Sequence, residues 1–199
     1  MALAMTDKVL ADAVWPSEAE GRSKLLRQAA LVAGGILFMI LASKIRVPMW
    51  PVPVTMQTFG ALTVGAVLGA RLGLVSMFGY LALGALGMQV FTGETAGLGY
   101  MVGPTGGYLV GFAFAAWAMG ALSRRGWDRS VGGMVGALLI GNAIIYAVGV
   151  PWMAYLFAAE RGMGWVIEWG FTKFLIGDAL KLALAAMILP AAWRFAARR

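Results

Sequence analysis

The sequence predicts an all-α integral membrane protein, a compact bundle of six transmembrane helices with both termini on the cytoplasmic side. Three observations predict it: a heavily apolar composition, six apolar stretches separated by turns, and a one-sided distribution of Lys and Arg. Of 199 residues, 61% are hydrophobic and 13% charged, with a mean hydropathy of +0.80. A soluble domain carries about 25% charged residues, so the apolar surplus here faces lipid. The length corresponds to one domain. It divides into a cytoplasmic N-terminal arm over residues 1–24 and a six-helix membrane domain over residues 25–199.

The arm mixes Asp7, Lys8, Asp12, Glu18, Glu20 and Arg22 with Pro16. No apolar stretch precedes a small-residue cleavage site, which excludes a cleaved signal peptide. A short amphipathic turn is expected at Val9–Trp15. Spanning a bilayer takes about 20 mostly apolar residues, or fewer where the bilayer thins. The first helix is expected from Leu25 to Ala42, ending at Lys44. Ile45–Thr55 follows, and its Pro48, Pro51 and Pro53 exclude a helix because each lacks an amide donor and restricts its predecessor. It reads as an extended outer loop with Trp50 at the interface.

The second helix is expected from Met56 to Ala70 and the third from Leu72 to Val90, with Arg71 at the tight turn between them. Thr92–Thr105 is a glycine-rich loop. The fourth helix covers Gly106 to Leu122 and ends in the basic Ser123–Arg129 turn. The fifth covers Val131 to Val150. Pro151–Gly170 is interfacial, with Trp152, Tyr155, Trp165 and Trp169 as an aromatic belt, and the sixth helix runs from Phe171 to Phe195. Gly65, Gly69 and Gly73, and again Gly132 and Gly136, recur at the four-residue spacing that lets helix backbones approach closely, and plain packing is the favoured reading.

Charge sets the orientation. With the N-terminus inside, the inner segments hold Lys8, Arg22, Lys24, Arg27, Arg71, Arg124, Arg125, Arg129, Arg194, Arg198 and Arg199. The outer loops hold Lys44, Arg46 and Arg161 beside Glu94, Glu160 and Glu168. Lys and Arg concentrate on the cytoplasmic side, so the topology is N-in and C-in. The net charge of +7 is not gathered into a groove with interleaved aromatics, which argues against a nucleic-acid partner. The partner at the surface is the lipid bilayer.

Cysteine and histidine are both absent. That removes disulfides, thiolate metal sites, the commonest general base and the commonest metal ligand, and with them Ser-His-Asp and HExxH chemistry. No GxxxxGK[ST] occurs, so the chain has no P-loop of its own. The absent nucleophiles and the single acid in the membrane interior argue against an intramembrane enzyme. The absence of an inverted repeat or paired broken helices argues against a self-sufficient ion-coupled transporter. No catalytic residue, metal site or cofactor is expected.

The informative polar residues are few. Asp178 and Lys181 lie at i and i+3 on one face of the sixth helix, where an ionisable group costs a few kcal/mol and normally faces the bundle interior or a wet cavity. Opposite charges there favour each other's ionised form. A structural ion pair, or a Lys181 that snorkels away, is the plain alternative to a polar ligand site open to the outside. Gly97-Leu98-Gly99-Tyr100-Met101-Val102-Gly103-Pro104-Thr105-Gly106-Gly107-Tyr108 has the spacing GxGxxxG without a βαβ unit, so it is no dinucleotide fingerprint. It reads either as irregular backbone packed against a neighbour or ligand, or as a tight turn. Ala29 and Ala33 form a small-xxx-small face on the first helix. Asn142 and Tyr146, four apart in the fifth helix, are expected to make an interhelical hydrogen bond rather than touch ligand. Gln57, at the outer end of the second helix, is better placed for a ligand.

Taken together, Val52-Pro-Val-Thr-Met-Gln-Thr-Phe-Gly60, the Gly97–Tyr108 stretch and Gly177-Asp-Ala-Leu-Lys181 resemble the BioY family, the biotin-binding S-component of energy-coupling-factor (ECF) vitamin transporters. The resemblance spans Leu25 to Phe195. It implies an S-component-like membrane subunit of the bacterial cytoplasmic (inner) membrane that captures biotin from the outer side under a capping first loop. Asp178 and Lys181 then contact the ligand, with Gln57, Tyr100, Tyr108 and Lys173 as further binding residues. It also implies that Ala29 and Ala33 face a transmembrane coupling subunit, which works with two ATPase chains. Biotin's ureido ring, with two N–H donors and a carbonyl, is complementary to Asp178 and Lys181. The Gly97–Tyr108 loop holds no arginine for the biotin carboxylate, which leaves Lys173, Lys44, Arg46, or backbone and Tyr108 to receive it.

Overall fold

The computed structural model describes residues 8–16 and 21–196. Asp7, Glu18, Glu20, Arg198 and Arg199, assigned above from sequence, lie outside the described residues. The helices are α1 (Leu10–Val14), α2 (Arg22–Lys44), α3 (Gln57–Ala85), α4 (Leu98–Met101), α5 (Gly106–Arg124), α6 (Val131–Arg161), α7 (Met163–Gly170) and α8 (Leu175–Ala196). Single 3-10 turns at Trp127–Arg129 and Thr172–Phe174 lead into α6 and α8.

Among the described residues, five helical stretches are long and apolar enough to cross a membrane. One of them, α3, is two helices. Gly69 has φ 81° and ψ 170°, outside the helical region, a conformation that glycine adopts without a Cβ penalty. The chain reverses there: a Cβ placed on Gly73 would lie 3.1 Å from the Gly65 Cα. In a continuous helix, residues eight apart are separated by about 12 Å along the axis. Divided at Gly69, α3 is two apolar helical segments, with the turn between them at Gly69 rather than Arg71. The same reversal corrects the reading of Gly65, Gly69 and Gly73 as one helical face. Gly65 and Gly73 face each other across a hairpin, and Gly69 makes the bend.

α3 and α5 form the centre of the bundle. A Cβ on Gly65 would meet the Ala116 carbonyl oxygen at 2.2 Å, so the two backbones touch there and only glycine is accommodated. α2 lies at the periphery, with much of its surface exposed.

Two expected boundaries move. The third segment ends at Ala85 instead of Val90, and α6 continues through Pro151 to Arg161. Proline removes one intrahelical hydrogen bond and crowds the preceding turn, which is why the sequence reads as a helix end. Tertiary contacts hold the helix in register beyond it. Trp152 packs its Cβ against Gly107, 2.3 Å from where a Cβ there would sit, and its Nε1 donates to the Gly103 carbonyl at 2.9 Å. Part of the expected interfacial belt is therefore helix.

One end of the bundle gathers α1, the Gly69 turn, the Trp127–Arg129 turn and the last turns of α8. Arg129 Nη2 donates to the Lys8 carbonyl at 3.3 Å, and Trp193 Nε1 donates to the buried Asp128 carboxylate at 2.7 Å. Arg27 Nη2 pairs with Asp12 at 3.1 Å and ties α1 to α2. The short helix expected at Val9–Trp15 is present as α1, its Leu10 and Ala11 buried. At the opposite end, Ile45–Thr55 is extended as expected. It forms a two-stranded antiparallel hairpin, β1 (Arg46–Val47) with β2 (Val54–Thr55), in the register Arg46 to Thr55 and Val47 to Val54.

Candidate functional site

The polar centre of the membrane region lies in the first turns of α8. Lys181 Nζ is 2.8 Å from Asp178 Oδ1, and the residues are only 7% and 5% exposed. The i, i+3 spacing brings both to one face, and the bundle turns that face inward. The Tyr146 hydroxyl on α6 donates to the other oxygen, Asp178 Oδ2. A carboxylate accepts about four hydrogen bonds, and an ammonium donates three. Both groups therefore keep capacity for a ligand that carries donors beside an acceptor. Desolvating two ions costs several kcal/mol each and is repaid incompletely by their attraction. Bundle stability alone is a weak reason for the pair.

Lys181 borders a small cavity of about 30 Å³, room for little more than water. Val52 and Pro53 from the hairpin loop, Thr55, Gln57, Tyr108, Tyr146 and Phe174 surround it. The rings pack edge to face or tilted, with Tyr108 6.4 Å from Tyr146 and 6.1 Å from Phe174. Tyr108 contributes its ring, because its hydroxyl is committed to the Gly170 carbonyl at 2.6 Å. Gln57 is buried and oriented by a short chain of bonds. It accepts from Thr55 Oγ1 at 3.0 Å and donates to Tyr80 Oη at 2.9 Å, and Tyr80 donates to the Val90 carbonyl at 3.1 Å.

Gln57, Tyr108 and Lys181 thus line one cavity, and Asp178 adjoins it through its bond to Lys181. Tyr100 lies elsewhere: it lines a larger open cleft of about 750 Å³ between the hairpin loop and residues 92–105. The two cavities share Pro53 and Thr105 as walls. Lys173 borders neither. It pairs with Glu168 at 3.0 Å on an exposed surface and lies over the Trp169 ring, because the 3-10 turn ahead of α8 points it outward. Among the described residues Asn142 makes no interhelical bond. Its Nδ2 donates to Leu138 of its own helix at 3.1 Å, and its buried Oδ1 has no partner. Tyr146 supplies an α6-to-α8 bond, and sequence reasoning missed it as a site residue. A hydroxyl in mid-membrane needs a partner, and Asp178 was the acid available. Ala29 and Ala33 are both exposed on α2.

An apolar helical bundle with a buried ion pair beside a small, aromatic-walled cavity has the build of a membrane-embedded transport protein that binds a small solute. The family model described as "BioY family" matches residues 11–198. A probable biotin transporter BioY of Pyrococcus horikoshii is 34% identical over 162 residues, covering 81% of this chain and 93% of that protein. The biotin transporter BioY of Rhizobium etli is also 34% identical, covering 80% and 87%. The crystal structure of the S-component for biotin from an ECF-type ABC transporter superimposes with a TM-score of 0.73 at 24% identity, over 88% of this chain and 95% of that one, a likeness of fold. The chain belongs to the BioY family.

Proposed function

We propose that this chain is the high-affinity biotin-binding S-component of an ECF-type vitamin uptake transporter. The observation that carries the proposal is the Asp178–Lys181 pair at 2.8 Å beside an aromatic cavity. Biotin's ureido group offers N–H donors to the carboxylate and a carbonyl to the ammonium, and its fused rings suit the Tyr108, Tyr146 and Phe174 walls. Tyr146 holds the carboxylate in place, and the Gln57 amide stands at the cavity edge. At about 30 Å³ the cavity is too small for fused rings, so Val52 and Pro53 of the hairpin loop move aside when the ligand enters.

With six spans the termini lie on one side, and an inner position for that side, which holds Lys8, Arg71, Arg124, Arg125, Arg129 and Arg194, accords with N-in, C-in insertion in the cytoplasmic (inner) membrane. The capping hairpin then faces outward, the side from which biotin arrives. Delivery inward requires a transmembrane coupling subunit and two ATPase chains. The exposed Ala29 and Ala33 face on thinly covered α2 is where the coupling subunit is expected to dock.

The test is equilibrium binding of labelled biotin to detergent-purified protein, competed with unlabelled biotin and with other vitamins. The proposal expects displacement by biotin and not by thiamine or riboflavin. Equal displacement by an unrelated vitamin, or no saturable binding to folded protein, overturns it.

A further inference from the structure

We infer that Tyr80, which stands behind the cavity wall, is a positioning residue. It fixes which end of the Gln57 amide faces the cavity, so that the Gln57 oxygen accepts from the second N–H of a ureido ring. The inference rests on the reading that this ring sits at Asp178 and Lys181.

An amide side chain can present its oxygen or its NH2 at one place, and the bonds around it decide the sense. For Gln57 every one of those bonds has a direction. The Val90 carbonyl can only accept, and it receives the Tyr80 proton at 3.1 Å. With that proton committed, Tyr80 Oη accepts from Gln57 and draws Nε2 towards itself at 2.9 Å. At the other end, Thr55 Oγ1 accepts from the Gln57 backbone N–H at 3.1 Å and donates its own proton to Oε1 at 3.0 Å. Turning the amide over would draw the Tyr80 proton away from Val90 and leave the Thr55 proton facing an NH2 group. Gln57 and Tyr80 are each 1% exposed, so solvent does not replace the lost bonds. The frame is itself held: Ser43 Oγ on α2 donates to the same Val90 carbonyl at 2.8 Å, and the Tyr80 ring packs edge to face on Phe91 at 5.3 Å.

The sense matters because of what reaches the ligand. Gln57 and Thr55 line the cavity and Tyr80 does not, so the oxygen is the end of the amide nearer the ligand. It has two lone pairs, and Thr55 occupies one. A ureido ring carries two N–H groups that diverge on either side of its carbonyl. With the carbonyl at Lys181, one N–H reaches Asp178 and the other needs a separate acceptor. The hydroxyls of Thr58 and Thr105 on the cavity wall rotate to donate or accept. The Gln57 oxygen, its sense locked, can only accept. It therefore discriminates an N–H from an oxygen of the same size, because a ring oxygen would set two acceptors face to face.

The experiment titrates biotin and its two cyclic carbamate analogues, each with one ring N–H replaced by oxygen, into wild type, Tyr80→Phe, Gln57→Leu and the double variant. Tyr80→Phe keeps the ring against Phe91 and leaves Val90 its bond from Ser43, and melting temperatures check that each variant is folded. Wild type is expected to prefer biotin to both carbamates by at least about tenfold. Tyr80→Phe weakens biotin about tenfold. It also frees the amide to turn over and offer N–H to the ring oxygen of one carbamate, so the preference over that analogue falls towards one. Gln57→Leu loses the same preference. With Leu at position 57, adding Tyr80→Phe changes biotin affinity by less than about twofold, because the two residues act as one unit. Unchanged affinity and preference in folded Tyr80→Phe, the same loss with and without Gln57, or a preference that Gln57→Leu leaves intact overturns the positioning role while biotin binding stands. Failure of folded wild type to bind biotin overturns the biotin reading as well.

Discussion

Tyr146 on α6 donates its hydroxyl proton to the Asp178 carboxylate on α8, joining across two helices the charge pair that Lys181 completes within one. The bond fixes where the carboxylate points. Without it Asp178 would still be neutralised by Lys181, but free to turn about its side-chain bonds.

Tyr146→Phe is therefore expected to weaken biotin binding about ten- to a hundredfold, the range for a hydrogen bond to a charged group. Thermal stability should change little by comparison. Calorimetric titration of the variant beside wild type checks it, and an unchanged affinity would show that Tyr146 has no part in orienting Asp178.

The tip of the capping loop is held by aromatic contacts. Trp50 lies 6.0 Å from Phe157 and 5.7 Å from Trp165 between ring centroids, with Arg161 over its face. Aromatic pairs of this kind contribute about 0.5–1.5 kcal/mol. Trp50→Ala should accelerate biotin release by several-fold to about tenfold and change the association rate less. Stopped-flow or chase kinetics read both rates, and an unaltered release rate would detach the cap from retention of the ligand.

Backbone contact between α3 and α5 makes Gly65 intolerant of any side chain, since a Cβ would lie 2.2 Å from the Ala116 carbonyl. Gly65→Val should destabilise the bundle by about 1–3 kcal/mol or more, seen as a lower melting temperature or loss of the monodisperse peak in detergent. Gly132→Ala is the control, because a Cβ there meets nothing within 4 Å.

Asp128, outside the spans, accepts from Ser123 Oγ at 2.5 Å and Trp193 Nε1 at 2.7 Å. Its burial raises the carboxyl pKa, and those hydrogen bonds oppose the rise only in part. A raised folded-state value means that the proton is bound more tightly in the folded protein. The stabilisation is complete below the unfolded value, about 3.9, and is lost as pH rises through the folded value. Asp128→Asn keeps an acceptor oxygen and never ionises. Its melting temperature should gain on that of wild type as pH rises, and a constant difference across the range would contradict the linkage.

How much of this was legible in the sequence depends on whether the cause is local. Asp178 and Lys181 stood out because charge inside an apolar helix is costly, and a three-residue spacing already fixes a shared face. The helical segments were legible from apolar length, and the loop at Ile45–Thr55 from its prolines. Where tertiary contact decides, the sequence was silent or misleading. Pro151 looks like a terminus until Trp152 is seen to dock on Gly107. Gly65, Gly69 and Gly73 look like a face until the chain reverses. Lys44, Lys173 and Arg46 were indistinguishable as cations, because which of them is satisfied by carbonyls or a neighbouring carboxylate is set by residues distant in the chain.

The central claim is that biotin binds at the Asp178–Lys181 pair. Calorimetric titration of detergent-purified protein with biotin, beside Asp178→Asn and Lys181→Ala, tests it most directly. The account predicts one-to-one binding to wild type, weakened at least about tenfold in each variant. Binding of undiminished affinity in both variants would contradict it and move the site away from α8.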